Sequence, residues 1–338
     1  MLFQPRAFVP FQGGERPAHY REETEERNFL QATVGVCDLR SLCITTISGR
    51  DATDYLHRRL TGNIKTMTMG ETRPMALLGG DGRMISDLHV LRGDADQYLL
   101  VGQPVVRETL ADQVERYVIM DDVKVEDITL DRAMIGIYGP VSSQLLQRLT
   151  AEAHDGSSVV VLDMSDIGVA GQALVIKNEL RESWFERAAN AACEMGGGAC
   201  GHLAWNAVRV KNAVPLFGTD MSTSTIPLEA GLYNLIDFNK GCFPGQEVVA
   251  RINNLGHPAR VLVQIQGPKG TLEEGAIMEA DGKSLGKVTS AASFDDADLA
   301  LAWVKWDYRE AGTRLVAASA NDQTEVEVTK TAGTPQIV

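Results

Sequence analysis

The sequence predicts an α+β fold: a body of two related α/β halves, followed by a small all-β domain. A strand-helix-strand-strand-helix order, that of ferredoxin-like units, occurs roughly twice before residue 240. From Arg260 onward, short β-rich runs are separated by glycine or acidic turns, as in a small barrel or sandwich. With 338 residues, 44% of them hydrophobic and 23% charged, the chain can bury more than one core. We divide it into a body at 1–255, with halves at about 35–130 and 131–240, and a C-terminal β-barrel domain at 256–338.

Residues 21–33 are charged but carry Phe29 and Leu30, and read as an opening helix. The β-branched run 42–48 is a strand, broken by Gly49. Tyr55, Leu56 and Leu60 then recur at helical spacing until Gly62. Residues 74–78 are a strand, and Gly79-Gly80-Asp81-Gly82 is a turn. The runs 84–91 and 98–101 complete an antiparallel meander. Pro104 suits the first position of a helix whose apolar stripe is Leu110, Val114 and Tyr117. A strand at 123–128 closes the first half.

The second half repeats the order, with strands at 134–138, 159–162 and 174–176 and helices at 141–149 and 179–195. The triple glycine 196–198 stops the second helix. Residues 203–212 read as a further helix. The last domain takes strands at 261–265, 284–289, 299–304, 314–317 and 324–329.

A net charge of −13 opposes strong non-specific nucleic-acid binding and direct binding to anionic membranes. It leaves room for a small anionic ligand, which needs only local basic groups. The five cysteines are scattered and form no Cys-x-x-Cys pair, so neither a structural zinc site nor a disulfide framework is indicated. Six histidines (His19, His57, His89, His154, His202 and His257) show no metal-ligand spacing. No secretory leader and no apolar run of membrane-spanning length are visible, so the expected location is cytoplasmic.

The most informative stretch is Lys240-Gly241-Cys242-Phe243-Pro244-Gly245-Gln246-Glu247. Pro244-Gly245 can hold the centre of a type II turn, and Gly241 allows another bend before it. Cys242 between these bends should be exposed, with Lys240 or the following element favouring its thiolate. A tight connection with an incidental cysteine is the plain alternative. These eight residues resemble the signature of the YgfZ-type folate-binding proteins, relatives of the T-protein (aminomethyltransferase) of the glycine cleavage system. The resemblance implies a T-protein-like fold, a bound tetrahydrofolate or other reduced folate, and assistance to iron–sulfur cluster assembly or repair. Iron–sulfur client or assembly proteins are then the partners.

In the meander, Ile85, Asp87, His89 and Leu91 share one strand face. Taken alone, Asp87 and His89 fit a solvated edge. Gly82-Arg83-Met84-Ile85-Ser86-Asp87-Leu88 resembles the T-protein segment whose second aspartate lies beside the pteridine ring. Asp87 keeps that aspartate, while Ser86 replaces the first. Many YgfZ-type proteins lack it, so Asp87 keeps one-carbon transfer open as an alternative function.

The resemblance extends over most of the chain, through Phe11–Pro17, Val34–Leu39 and Trp205–Val210, then Gly218-Thr219-Asp220 and Ile226-Pro227-Leu228-Glu229. It implies that Arg209 contacts the folate, and it adds Glu229 to the candidate binding residues. Arginine suits a glutamate tail through bidentate pairing; without the resemblance, Arg209 is a helix-surface charge. One departure is Gly171-Gln172-Ala173-Leu174-Val175, where the T-protein carries a run with two acids. That departure favours a binder over an aminomethyltransferase. Trp303 and Trp306 read as packing residues. A folate-free interaction module is the third reading.

Overall fold

The protein is described by a computed structural model covering residues 3–94, 96–151, 159–320 and 322–333. His154 lies outside the described residues.

The chain opens with a hairpin of β1 (Ala7–Phe11) and β2 (Gly14–His19), then α1 (Glu23–Ala32) and β3 (Gly35–Asp38). The first half follows: β4 (Cys43–Ser48), α2 (Ala52–Arg59), β5 (Thr72–Leu78), β6 (Met84–Arg92), β7 (Gln97–Gly102), α3 (Leu110–Glu115) and β8 (Lys124–Asp127). Its five-stranded sheet has the order β5-β6-β7-β4-β8. The meander thus brings β7, not β6, against β4, through pairs such as Ile44 with Val101.

The second half comprises β9 (Arg132–Tyr138), α4 (Ser142–Ala151), β10 (Val160–Asp163), β11 (Gly171–Lys177), α5 (Arg181–Glu194) and β12 (Gly198–Cys200). Its sheet runs β10-β11-β9-β3-β12. Omitting β3 leaves the ferredoxin-like strand order. The expected boundary at residue 35 is therefore corrected. β3 precedes the first half in sequence but lies in the second half's sheet, antiparallel to β9 and parallel to β12. Short strands buried on both faces, as β3 is, are placed by ladder partners rather than by sequence neighbours.

Then come α6 (His202–Lys211), an irregular stretch, and α7 (Gln246–Leu255). The barrel follows: β13 (Arg260–Gly267), β14 (Ile277–Ala280), β15 (Lys283–Ser293), β16 (Asp298–Lys305), β17 (Arg314–Ala318) and β18 (Gln323–Thr331). It closes in the order β13-β16-β15-β14-β17-β18. The sequence left β14 unread because Ile-Met-Glu-Ala is short and lacks a β-branched run.

Apolar side chains from both five-stranded sheets form one of the cores. Ile44, Leu91, Leu99 and Val101 on the first sheet meet Met134, Tyr138, Leu162 and Val175 of the second half. The two sheets therefore face each other, and the seam between them positions the site. In α3, Leu110 and Val114 are buried as expected, but the helix ends at Glu115, and Tyr117 beyond it is 51% exposed and lies under Arg59, 4.4 Å from ring centroid to guanidinium carbon. Among the described residues, no helix is long and apolar enough to cross a membrane.

Candidate functional site

Along β6 burial alternates. Met84, Ser86, Leu88 and Val90 are buried, whereas Ile85, Asp87 and His89 on the other face are partly open. Period-two alternation therefore aims Asp87 and His89 into the seam. There they line a cavity of about 250 Å³ with Gln103, Asp166 and the Val214-Pro215-Leu216 segment among its walls.

Four polar atoms at this cavity are buried and have no hydrogen-bond partner among the described residues: Asp87 Oδ1, His89 Nδ1, Gln103 Oε1 and Asp166 Oδ1. Isolated buried polar atoms are costly, and four around one cavity mark a place built to meet polar groups of something else. A cavity of about 340 Å³ at the other end of the seam has Thr46, Leu91, Leu99 and Arg132 among its walls. No buried orphan of this kind is found among its lining residues.

Burial raises the Asp87 carboxyl to about 7, opposed by its own backbone N–H and helped by the charge of Asp166. Burial likewise raises Asp166 to about 6, offset by the Tyr138 hydroxyl and the Arg16 guanidinium. His89 is lowered to about 4 by burial, so its imidazole is neutral at physiological pH. Near neutrality the cavity therefore holds a neutral imidazole beside a carboxyl that can exchange a proton. Such a group can accept an N–H hydrogen bond or take up a proton.

The sequence missed Asp166 and Gln103. Gln103 follows β7 directly, so extending the meander's last run, 98–101, by two residues could have found it. Asp166 sits in the turn between β10 and β11, and nothing marks it among the acidic loop residues. It supplies a carboxylate beside the Gly171 segment, where the sequence showed none.

Arg209 is a correction. Its side chain is 1% exposed and ion-paired at 2.6 Å with Asp220, itself 0% exposed. It also donates to Asn206 Oδ1 (2.9 Å), the Val214 carbonyl (3.1 Å) and Ser290 Oγ (2.6 Å). It stands behind the Val214–Leu216 wall rather than in the cavity. Glu229 is also displaced: its carboxylate accepts from the Ile226 amide and from Arg260, each at 3.1 Å. Neither residue lines the Asp87 cavity.

In the cysteine motif, Gly245 has φ +79° and the Gln246 amide donates to the Phe243 carbonyl at 3.2 Å, closing the type II turn. Gly245 then caps α7, whose first residues are Gln246 and the exposed Glu247. Gly241 and Cys242 are exposed, and all five cysteines are free thiols. Lys240 does not serve the thiol as expected. Its ammonium is buried and donates to the carbonyls of His57, Leu60 and Gly62 at the end of α2. Burial lowers it to about 8, and Asp237 opposes that. Trp303 is buried, and its indole N–H donates to the Asp220 carbonyl at 2.9 Å.

A family model described as the GCVT N-terminal domain matches residues 5–240. An aminomethyltransferase of Halalkalibacterium halodurans is 24% identical over 324 residues, 91% of this chain and 88% of that one. An aminomethyltransferase of Streptomyces coelicolor is 27% identical over 299 residues, 83% of this chain and 80% of that one. Among solved structures, the glycine cleavage system aminomethyltransferase T of Bartonella henselae superposes with a TM-score of 0.83. That pair shares 19% identity over 96% of this chain and 93% of that one, so the match speaks to the fold.

Proposed function

The chain belongs to the GCVT N-terminal-domain family, and from that premise we propose a tetrahydrofolate-dependent one-carbon transferase of the aminomethyltransferase kind. The Asp87 cavity is its folate site. The observation that carries this reading is the set of four orphaned polar atoms on Asp87, His89, Gln103 and Asp166. Three of them are carboxylate or amide oxygens, acceptors suited to the N–H-rich edge of a reduced pterin. Its volume of about 250 Å³ lies just under the ~300 Å³ at which small-molecule sites begin. The cavity therefore suits the ring system, with the glutamate tail outside.

When bound, the reduced folate supplies the ring nitrogen that accepts the one-carbon unit. Asp87 orients the ring by accepting an N–H, and with a carboxyl held at about 7 it can also take up a proton there. His89, kept neutral by burial, offers a second hydrogen bond without adding charge.

Calorimetric titration with tetrahydrofolate tests the site, and turnover with an aminomethyl or methylamine donor tests the transfer. Binding that is lost in Asp87→Asn, together with turnover in the native chain, supports the reading. No binding at millimolar ligand sinks it and leaves the interaction module standing.

The exposed Cys242 supports a second reading, the YgfZ-type assistance to iron–sulfur enzymes. A thiol held outward at a helix start can engage a partner protein's sulfur or iron. If this reading holds, Cys242→Ser lowers iron–sulfur client activity in cells lacking the native protein and leaves tetrahydrofolate affinity unchanged. A fully functional serine variant would dismiss it.

A further inference from the structure

We propose that the C-terminal barrel is a working part of the cavity, with Asp220 and Arg209 as positioning residues that carry its support to the Val214–Leu216 wall. The proposal rests on the cavity being the ligand site.

The wall starts from a strained place. Ala213 has φ +58°, a left-handed conformation that strains a non-glycine residue and persists only where its surroundings over-determine it. Those surroundings come largely from the barrel. The Gly333 amide, just beyond β18, donates to the Ala213 carbonyl at 3.0 Å. On β13, Gln264 Nε2 donates to the carbonyls of Val210 (2.5 Å) and Lys211 (2.9 Å) at the end of α6.

Asp220 is the junction. One carboxylate oxygen accepts the Leu216 amide (2.9 Å) and the Arg209 guanidinium (2.6 Å), and Arg209 in turn holds the Val214 carbonyl (3.1 Å). The other oxygen accepts the hydroxyls of Thr289 and Ser290 on β15, both at 2.6 Å. Trp303 on β16 donates to the Asp220 carbonyl at 2.9 Å. Val214 and Leu216 line the cavity, so a single carboxylate joins the cavity wall to two barrel hydroxyls. These barrel residues lie beyond residue 240, where the family match ends.

The network is buried, and a buried charge that loses partners either moves or draws in water. Removing the two hydroxyls should therefore loosen the wall first. In Thr289→Val/Ser290→Ala, amide hydrogen exchange at Leu216 should quicken by about tenfold while that of Val90 in β6 stays as in the native chain. Tetrahydrofolate affinity should fall by about tenfold. Thr289→Val alone gives the same two changes in smaller measure if the double variant does not fold. Arg314→Ala, on an exposed barrel position, controls for general loosening and should alter neither readout.

Unchanged Leu216 exchange, or unchanged affinity despite faster exchange, overturns the proposal. If the native chain binds no tetrahydrofolate, the function reading falls, and Leu216 exchange alone decides whether the barrel holds the wall.

Discussion

Gly245 and Gly82 meet backbone to backbone. A Cβ on Gly245 would lie 2.5 Å from Gly82 Cα and 2.6 Å from the Gly79 carbonyl oxygen. The cysteine-motif turn is thus seated on the turn between β5 and β6, the hairpin whose second strand carries Asp87. Both glycines have left-handed φ, +79° and +77°. Two motifs far apart in the chain are halves of one contact.

Gly245→Ala combines a positive φ with a clash against backbone that cannot swing away. We expect a stability loss of at least about 1–3 kcal/mol, read from denaturant midpoints. Gly270→Ala serves as the comparison. It is also left-handed (φ +76°) but has nothing within 4 Å of its added methyl, so its loss should be the smaller one.

Asp87 should impose a pH dependence. Its folded carboxyl titrates near 7 against an unfolded value of about 4, so the folded chain binds the extra proton between them. Stability therefore falls as pH rises from about 4 to about 7. Asp87→Asn lacks this slope. Thermal midpoints of variant and native protein should agree near pH 4 and diverge in the variant's favour up to pH 7. Parallel curves across that range would show Asp87 to be an ordinary carboxylate.

Asp166→Asn removes the neighbouring negative charge that helps to raise Asp87. The Asp87 midpoint, followed by carboxyl ¹³C NMR, should move down toward the usual carboxylate range. A midpoint that stays put would mean burial alone sets it.

Arg209→Ala leaves Asp220 buried without its cation. The expected loss is about 3–5 kcal/mol, measured by chemical denaturation, a size set by an uncompensated buried charge. A loss under about 1 kcal/mol, typical of exposed pairs, would contradict the buried geometry.

Iodoacetamide should modify Cys242 before the other four thiols of the native protein. Cys37, Cys43 and Cys200 are buried, and burial raises all three thiols. Cys193 is half-buried. Mass spectrometry of timed digests gives the order, and early labelling at Cys37 or Cys200 would mean that the β3–β12 edge opens.

Much of the site was legible wherever backbone geometry demands a particular residue. Pro244-Gly245 announces its turn, because proline presets one torsion and glycine alone accepts the next without strain. Alternation along β6 put Asp87 and His89 on one face, as found. The barrel strands were visible for the same reason, apart from the short β14.

Arg209, Glu229 and Lys240 were misread in the same way. The charge of each is met from outside its own element: Asp220 and Ser290 for Arg209, Arg260 for Glu229, and the carbonyls of His57, Leu60 and Gly62 for Lys240. Charge is visible in a sequence, but the partner that neutralises it is not. The sequence by itself thus determined the local conformations, the fold class and the face on which Asp87 stands. Only the tertiary structure decided that Asp166 joins that cavity, that β3 crosses into the second sheet, and that Arg209 braces the wall from behind. Torsional preference and side-chain periodicity act over a few residues. Burial, pairing and desolvation depend on which distant segments pack together.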